Sequence, residues 1–342
     1  MTHGRGKGPF PPQVSSMYDV AVADSVFPNL DPAREVLSRV GGRLQLASAP
    51  TPEAIMAIAA DADAILVTYA KITGDMIRQL TKCRIISRFG IGVDNVDIPE
   101  ATKKGIVVTK VPDYCIDEVS DHTMALLLAV VRKIPFINAQ VHGGTWKMPA
   151  VVPIHRLRGT VLGLVGFGRI PQLVAPKAQA FGMKVIAYDP YVPAAVFASA
   201  GVESVDFPTL LKTSDYVSIH SPLVPETKNL FNSDAFRQMK PTAYLVNTAR
   251  GPIIDEAALA KALDAKRIAG AALDVMVQEP PPADSPLFGR ENVIVTPHTS
   301  FYSEESLVEL QTKAAQEVVA VLTGQPPRNP VNPEALQVQT SK

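Results

Sequence analysis

Three residues late in the chain have side chains that together could hold a small anion and move a proton. They are Arg250 in Val246-Asn247-Thr248-Ala249-Arg250-Gly251, Glu279 in Leu273-Asp274-Val275-Met276-Val277-Gln278-Glu279-Pro280, and His298 in Thr296-Pro297-His298-Thr299. Reduction of a 2-keto acid needs a cation to hold the carboxylate and polarise the carbonyl, and an acid to protonate the new alkoxide. Arg250 offers a planar fork matched to carboxylate and carbonyl oxygens. His298 changes charge near neutrality and can give or take the hydroxyl proton, an effect typically worth about 10²- to 10⁴-fold in rate. Glu279, bonded to the other ring nitrogen, would favour the charged imidazolium and fix its orientation. Each residue alone has an ordinary use: a surface ion pair, a solvated loop carboxylate, a structural histidine. The set is what is chemically complete.

A hydride donor is also legible. Val161-Leu162-Gly163-Leu164-Val165-Gly166-Phe167-Gly168-Arg169-Ile170 places an apolar strand directly before Gly-x-Gly and a helix. Gly166 permits the tight turn, and Gly168 lets the backbone approach a pyrophosphate on the helix N-terminus. Twenty-three residues past Gly166, the next strand ends in Asp189. Its carboxylate could accept both ribose hydroxyls and would repel a 2′-phosphate, which favours NAD over NADP as cofactor. The third slot of the fingerprint holds Pro171 rather than a small residue. Pro171 falls in the first helical turn, where a missing N–H is tolerated, whereas Pro176 predicts a kink.

These groups must be positioned by strands and helices in alternation. From Asp19 onward, β-branched runs that are apolar throughout predict parallel strands covered on both faces, at Asp19 to Ala23, Arg43 to Ala47, Ala64 to Thr68, Arg84 to Ser87 and Ile106 to Thr109. An Asp31 to Val40 helix is predicted between the first two, with Asp31 as N-cap. A long apolar helix, Glu118 to Ala139, interrupted at Pro135, leads to a second series at Gly159 to Gly166, Lys184 to Tyr188, Tyr216 to His220, Ala243 to Asn247, Ile268 to Leu273 and Val293 to Thr296. The chain closes on a Ser303 to Leu322 helix. The fold class is therefore α/β, with two doubly wound parallel sheets and a cleft between them: 118–299 the Rossmann-like dinucleotide domain, 1–117 with 300–342 the flavodoxin-like substrate domain. Arg250, Glu279 and His298 fall at or just beyond the C-terminal ends of late strands, where open α/β sheets place ligands.

Composition agrees. The 342 residues are 46% apolar and 19% charged, with 33 basic against 33 acidic side chains, which argues for an ordinary globular protein and against nonspecific nucleic-acid binding. Two cysteines, Cys83 and Cys115, are too few for a disulfide framework or a four-ligand zinc site, so no metal is expected. Met1 to Ser16 lacks the apolar run of a signal peptide, and no stretch approaches the roughly 18 apolar residues of a membrane helix, so a cytoplasmic protein is expected.

The blocks Gly166-Phe167-Gly168-Arg169-Ile170, Val246 to Gly251, Ala272 to Pro280 and Pro297-His298-Thr299 resemble those of the D-isomer-specific 2-hydroxyacid dehydrogenases, over nearly the whole chain from Asp19 to Gly324. The resemblance implies that Arg250, Glu279 and His298 are the catalytic residues and that NAD is the cofactor. It also implies that Arg169 and Ile170 meet the pyrophosphate, that His220-Ser221-Pro222 and Thr227 line the adenine side, and that Thr248 and Asp274 flank the nicotinamide. It implies a homodimer whose cleft closes on substrate. Arg88-Phe89-Gly90-Ile91-Gly92 is similar to the family's glycine-rich substrate loop, whose N–H groups can cradle a carboxylate. Arg88 and the Phe301-Tyr302-Ser303-Glu304 segment look most like the branch containing the C-terminal binding proteins, where an aromatic at the position of Phe301 packs on substrate. Phe301 serves equally as a domain-packing residue.

The reading expected is an NAD-dependent oxidoreductase acting on a small D-2-hydroxy acid. Two alternatives stand beside it: an NAD(H)-sensing corepressor or scaffold, and an enzyme acting on 3-phosphoglycerate. The loop Thr68-Tyr69-Ala70 lacks the arginine usual in the phosphoglycerate branch, although Lys71 lies next to it. The short proline-rich stretch after Gly324 favours the enzyme over the scaffold.

Overall fold

The computed structural model describes residues 18–148 and 152–340. It divides into two compact units: one holds the chain up to Tyr114 and from Glu304 onward, the other Cys115–Ser303. Residues 115–117, expected with the outer domain, open the helix Ile116–Val131 of the middle unit, and residues 300–303, likewise expected in the outer domain, belong to the middle unit too. For the latter the reason is local, because the buried carboxylate of Asp274 accepts the backbone N–H groups of Thr299 and Ser300.

The first unit is a five-stranded parallel sheet made of β1 (Tyr18–Val22), β2 (Gly42–Leu46), β3 (Ala64–Val67), β4 (Ile85–Arg88) and β5 (Val107–Thr109), in the order β2-β1-β3-β4-β5. This is the flavodoxin-like order. β3 and β4 are buried at every residue, as continuous apolar runs covered on both faces require. One face packs on α2 (Pro52–Ala59), α3 (Gly74–Gln79) and α4 (Ile98–Lys104) through Ala21, Ile65, Ile86 and Val108. The helix Glu304–Leu322 belongs to this unit, where the hydroxyl of Ser87 on β4 donates to Ala314 O at 3.1 Å. In α1 (Asp31–Ser38) the N-cap is Leu30, and Asp31 is the first helical residue rather than the cap. Its own N–H is taken by the side chain of Asn29.

The second unit is a seven-stranded parallel sheet in the order β12-β11-β10-β9-β6-β7-β8. Its strands are β6 (Val161–Val165), β7 (Lys184–Tyr188), β8 (Glu203–Ser204), β9 (Tyr216–Ile219), β10 (Tyr244–Asn247), β11 (Gly270–Leu273) and β12 (Val293–Val295). Alternate strand residues feed two cores. Val165, Val217, Ile219, Leu245 and Leu273 face one way, and Leu162, Leu164, Val185, Val246 and Ala272 the other. The strand order reverses between β6 and β9, the topological switch point where dinucleotide folds open a crevice. β8 has no sequence signature, being two exposed polar residues at the sheet edge.

The long apolar helix is two helices, α5 (Ile116–Val131) and α6 (Ile134–His142), bent by 57°. The break comes at Arg132–Lys133, with Lys133 left-handed at φ 56°, ahead of the predicted Pro135. Proline clashes with the carbonyl four residues back, so it is tolerated only once a new helix has started. Helix α7 (Arg169–Ala180) starts at Gly168 and runs unbroken through Pro176, with Pro171 buried in its first turn. Among the described residues no single helix is long and apolar enough to cross a membrane, and α5 spends Met124, Leu127 and Val130 on the core of its own unit.

Candidate active site

The Arg250 loop is shaped by Asn247, the last residue of β10, whose buried amide accepts from Ala249 N at 3.0 Å and donates to Arg250 O at 2.9 Å. The next residue must be glycine. A Cβ on Gly251 would lie 2.0 Å from Met276 C and O, so the backbone of this loop rests directly on the Met276–Val277 backbone that leads to Glu279. That approach brings the arginine and glutamate loops together, and the Arg250 charge contributes to the electrostatics of Glu279.

Glu279 is held at both oxygens: Oε1 accepts Met276 N–H at 3.0 Å, and Oε2 sits 2.7 Å from Nδ1 of His298. Burial pushes its carboxyl up, but the His298 hydrogen bond and charge, the Met276 N–H and Arg250 outweigh burial and leave it below the ordinary glutamate value. Both side chains are accessible, His298 at 20% and Glu279 at 33%. His298 itself is left-handed, φ 52°, a conformation costing a non-glycine residue about 1–3 kcal/mol. It is held there by its N–H, which donates to Asp274 O at 2.8 Å, and by Asp274's carboxylate, which grips Thr299 and Ser300 just beyond it. The ring of Phe301 stands edge-on to His298, centroids 6.3 Å apart. Arg250, Glu279, His298 and Phe301 therefore belong to one unit and one edge of its sheet.

The residues expected to bind a dinucleotide gather at the switch point. A Cβ on Gly166, φ +91°, would lie 2.8 Å from Ser221 N and 2.9 Å from His220 C, so the loops after β6 and β9 touch backbone to backbone. A Cβ on Gly168 would meet nothing within 4 Å; it faces open space at the start of α7. Ser221 is buried, and its hydroxyl has no hydrogen-bond partner among the described residues. Asp189 follows β7 and supports the glycine loop, one oxygen accepting Phe167 N–H and the other Tyr191 N–H, each at 2.9 Å. A carboxylate has about four acceptor sites, so capacity for ribose hydroxyls remains. Arg169 is exposed and Ile170 half-buried at the helix start. Burial lowers His220 to about 3, so its ring is neutral, with Nε2 2.9 Å from Ser218 Oγ. Thr227 folds the loop after Pro222, donating to Pro222 O at 2.6 Å. Thr248 and Asp274, expected beside the nicotinamide, are buried and engaged within the unit: Thr248 pairs with Thr123, and Asp274 anchors the His298 loop. An open glycine, an orphaned buried hydroxyl and a strand-end carboxylate at a switch point fit a dinucleotide.

The remaining residues expected on the substrate side lie in the first unit. The Arg88 guanidinium folds back over its own loop: a Cβ on Gly90, φ +151°, would fall 1.2 Å from Arg88 Nη1. Its Cζ is 6.0 Å from the ring centroid of Tyr69. Ile91 and Gly92 are half-buried in the same loop, which Asn95 ties to the loop after β3 through Thr68 O and Ala70 O. Sequence reasoning missed Asp24, whose carboxylate accepts the N–H groups of Thr68 at 2.8 Å and Tyr69 at 2.7 Å. Its partners are 44 and 45 residues away, which no local pattern reveals. It also missed Gly251, for which the only signal was a glycine directly after a strand-end arginine. Among the described residues no group of three or more His, Cys, Asp or Glu could hold a metal ion.

Comparison with known proteins agrees with this geometry. Residues 124–300 match the family model described as D-isomer specific 2-hydroxyacid dehydrogenase, NAD binding domain. The chain is 40% identical over 318 residues to D-3-phosphoglycerate dehydrogenase of Methanocaldococcus jannaschii, covering 92% of this chain but 60% of that one. It is 38% identical to glyoxylate reductase of Korarchaeum cryptofilum, covering 85% of this chain and 89% of the relative. It is similar in structure to D-lactate dehydrogenase from Aquifex aeolicus complexed with NAD and lactic acid, with TM-score 0.82 and 28% identity over 92% of this chain and 99% of that one.

Proposed function

The chain belongs to the D-isomer specific 2-hydroxyacid dehydrogenase family, and on that premise we propose that it interconverts a small D-2-hydroxy acid and its 2-keto acid with NAD. The observation that carries the reading is the 2.7 Å pair of His298 Nδ1 and Glu279 Oε2, on a loop that rests against the Arg250 turn through Gly251. NAD, when bound, supplies or accepts the hydride at C2 of the substrate. Gly166, Gly168, Arg169, Ile170, Asp189 and Ser221 would hold it, with His220, Pro222 and Thr227 on its adenine side.

Arg250 binds the substrate carboxylate and carbonyl oxygen with its planar fork, and its charge stabilises the oxygen as it becomes an alkoxide. His298 gives that oxygen a proton from Nε2 in reduction and takes it back in oxidation. Glu279 accepts the Nδ1 proton, which fixes the tautomer and aims Nε2. Arg88 and the N–H groups of Ile91 and Gly92 form the anion-binding loop of the first unit, and Phe301 packs beside the His298 ring.

The loop after β3 supports a substrate without a distal phosphate. It carries Thr68, Tyr69 and Ala70, and Asp24's carboxylate already takes two of its N–H groups. A second copy of the chain is the partner we favour. None of the nine residues of α6 is buried; Ile134 at its start is 55% exposed, and Trp146 and Met148 beyond its end are 86% and 73% exposed. Cys83 and Cys115 are both thiols outside any disulfide, which suits a reducing, cytoplasmic setting. The test is NADH oxidation by the purified protein over a panel of glyoxylate, hydroxypyruvate, pyruvate, 2-ketobutyrate and 3-phosphohydroxypyruvate. Reduction of one or more of the four unphosphorylated acids is expected. No turnover at all defeats the enzyme reading, and a strong preference for the phosphorylated acid defeats the substrate assignment.

A further inference from the structure

Helix α5 reaches the ends of two catalytic strands with consecutive residues. Thr123 Oγ1 lies 2.9 Å from Thr248 Oγ1, in the loop that carries Arg250 two residues later. His122 Nε2 lies 3.2 Å from Thr296 Oγ1, in the loop that carries His298 two residues later. The donors can be assigned from proton count. Thr123 gives its single hydroxyl hydrogen to Val119 O at 2.7 Å, so Thr248 is the donor to Thr123. Thr296 gives its hydrogen to Asp274 Oδ1 at 2.6 Å, so it can only accept from His122, whose Nε2 must carry a hydrogen.

We infer that His122 is a positioning residue for His298, acting through the chain His122 Nε2–H to Thr296 Oγ–H to Asp274. Asp274 is where that chain meets the acid's backbone. Its carboxylate has no exposed surface, and besides Thr296 it accepts Thr299 N–H at 3.0 Å and Ser300 N–H at 2.9 Å. Its carbonyl takes the N–H of His298 at 2.8 Å. The residue held in a left-handed conformation is thus gripped on both sides by Asp274, and one of that carboxylate's oxygens is oriented by a hydroxyl whose lone pair is engaged by His122. The ring nitrogen also lies 3.6 Å from Asp274 Oδ1, close enough to act on the same oxygen directly. Removal of the donor frees the Thr296 hydroxyl to rotate, loosens Asp274 and lets the left-handed turn relax. A shift of about 1 Å at a reacting group is enough to cost up to about 10²-fold in rate.

The inference rests on the reading of His298 as the proton donor, and the test separates the two. His122→Leu removes the donor at similar volume, and His122→Gln keeps an N–H near the position of Nε2. With NADH and whichever panel acid turns over fastest, His122→Leu is expected to lower kcat about tenfold, to leave the KM for NADH unchanged and to enlarge the solvent deuterium isotope effect. His122→Gln is expected to restore kcat to within about twofold. In a His298→Gln background, His122→Leu should cause no further loss. Independently of turnover, the ¹⁵N resonances of the His298 ring should move in His122→Leu and stay in place in His122→Gln. Unmoved His298 resonances, an equal loss in both variants, or a loss that persists undiminished in the His298→Gln background would each overturn the positioning role. A protein inactive on every acid whose His298 resonances still respond to His122→Leu would defeat the enzyme reading and leave the coupling standing.

Discussion

Two glycine-x-glycine loops follow parallel strands in this protein, one after β6 in the middle unit and one after β4 in the first, and they are built on different constraints. At Gly166 the missing Cβ makes room for another stretch of backbone, Ser221 and His220, which cannot move without disturbing β9. At Gly90 it makes room for the flexible end of Arg88, folded back over its own loop. The first is packed against backbone, and the second, the anion loop proposed above, is packed against a side chain and can adjust. The middle unit repeats such close contacts at two further places, where Gly251 rests on Met276 backbone and Asp274 accepts the N–H groups of Thr299 and Ser300. The lesson is a division of labour: hydride and proton transfer demand preset geometry, whereas a side-chain cation can adapt to the anion it meets.

Arg250→Gln removes the charged fork at the developing alkoxide, and kcat/KM for the keto acid should fall by about 10³-fold, with NADH affinity measured by fluorescence left unchanged. The two glycines of the β6 loop should part company. Gly166→Ala meets both backbone contact and positive φ, at a cost of about 1–3 kcal/mol, seen as a Tm several degrees lower together with lost NADH binding. Gly168→Ala enters open space, so it should keep the wild-type Tm while NADH affinity falls about tenfold. If Gly168→Ala melts as early as Gly166→Ala, the open glycine is structural and the distinction fails.

In the adjustable loop, Gly90→Ala displaces Arg88 and should raise the KM for the keto acid by about tenfold, with little effect on NADH affinity. A matching loss of NADH affinity would show that the two loops are not independent. The smallest effect concerns pH. Glu279 lies below its ordinary value of 4.5 in the folded protein, so its contribution to stability is present above that value and lost as pH falls through the folded value. Thermal unfolding between pH 6 and pH 3.5 should show a slightly steeper acid loss in the wild type than in Glu279→Gln. Equal slopes would mean that the carboxylate is no better stabilised folded than unfolded.

Much of this was legible in the sequence because buried parallel strands are continuous apolar runs; Lys184–Tyr188 is observed with the boundaries predicted for it. Arg250, Glu279 and His298 could be singled out because residue type and strand-end position together suit the chemistry proposed for them. The features that could not be read depend on distant partners or on competition between local rules. His122 looks like one more polar residue on an apolar helix, and its partner Thr296 is 174 residues away. Asp31 has a capping side chain, yet Asn29 takes the outer position. Pro135 announces a helix break without saying that the chain turns at Lys133, and β8 is too short and too polar to register.

On the proposed mechanism His298, aimed by Glu279, exchanges the substrate proton while other residues hold the dinucleotide. Single-turnover oxidation of bound NADH by the best panel acid, in wild type and in His298→Gln, tests it most directly. The hydride-transfer phase is expected to slow by at least about 10²-fold with NADH binding intact. Near wild-type turnover in His298→Gln, or a loss explained entirely by failure to bind NADH, would contradict it.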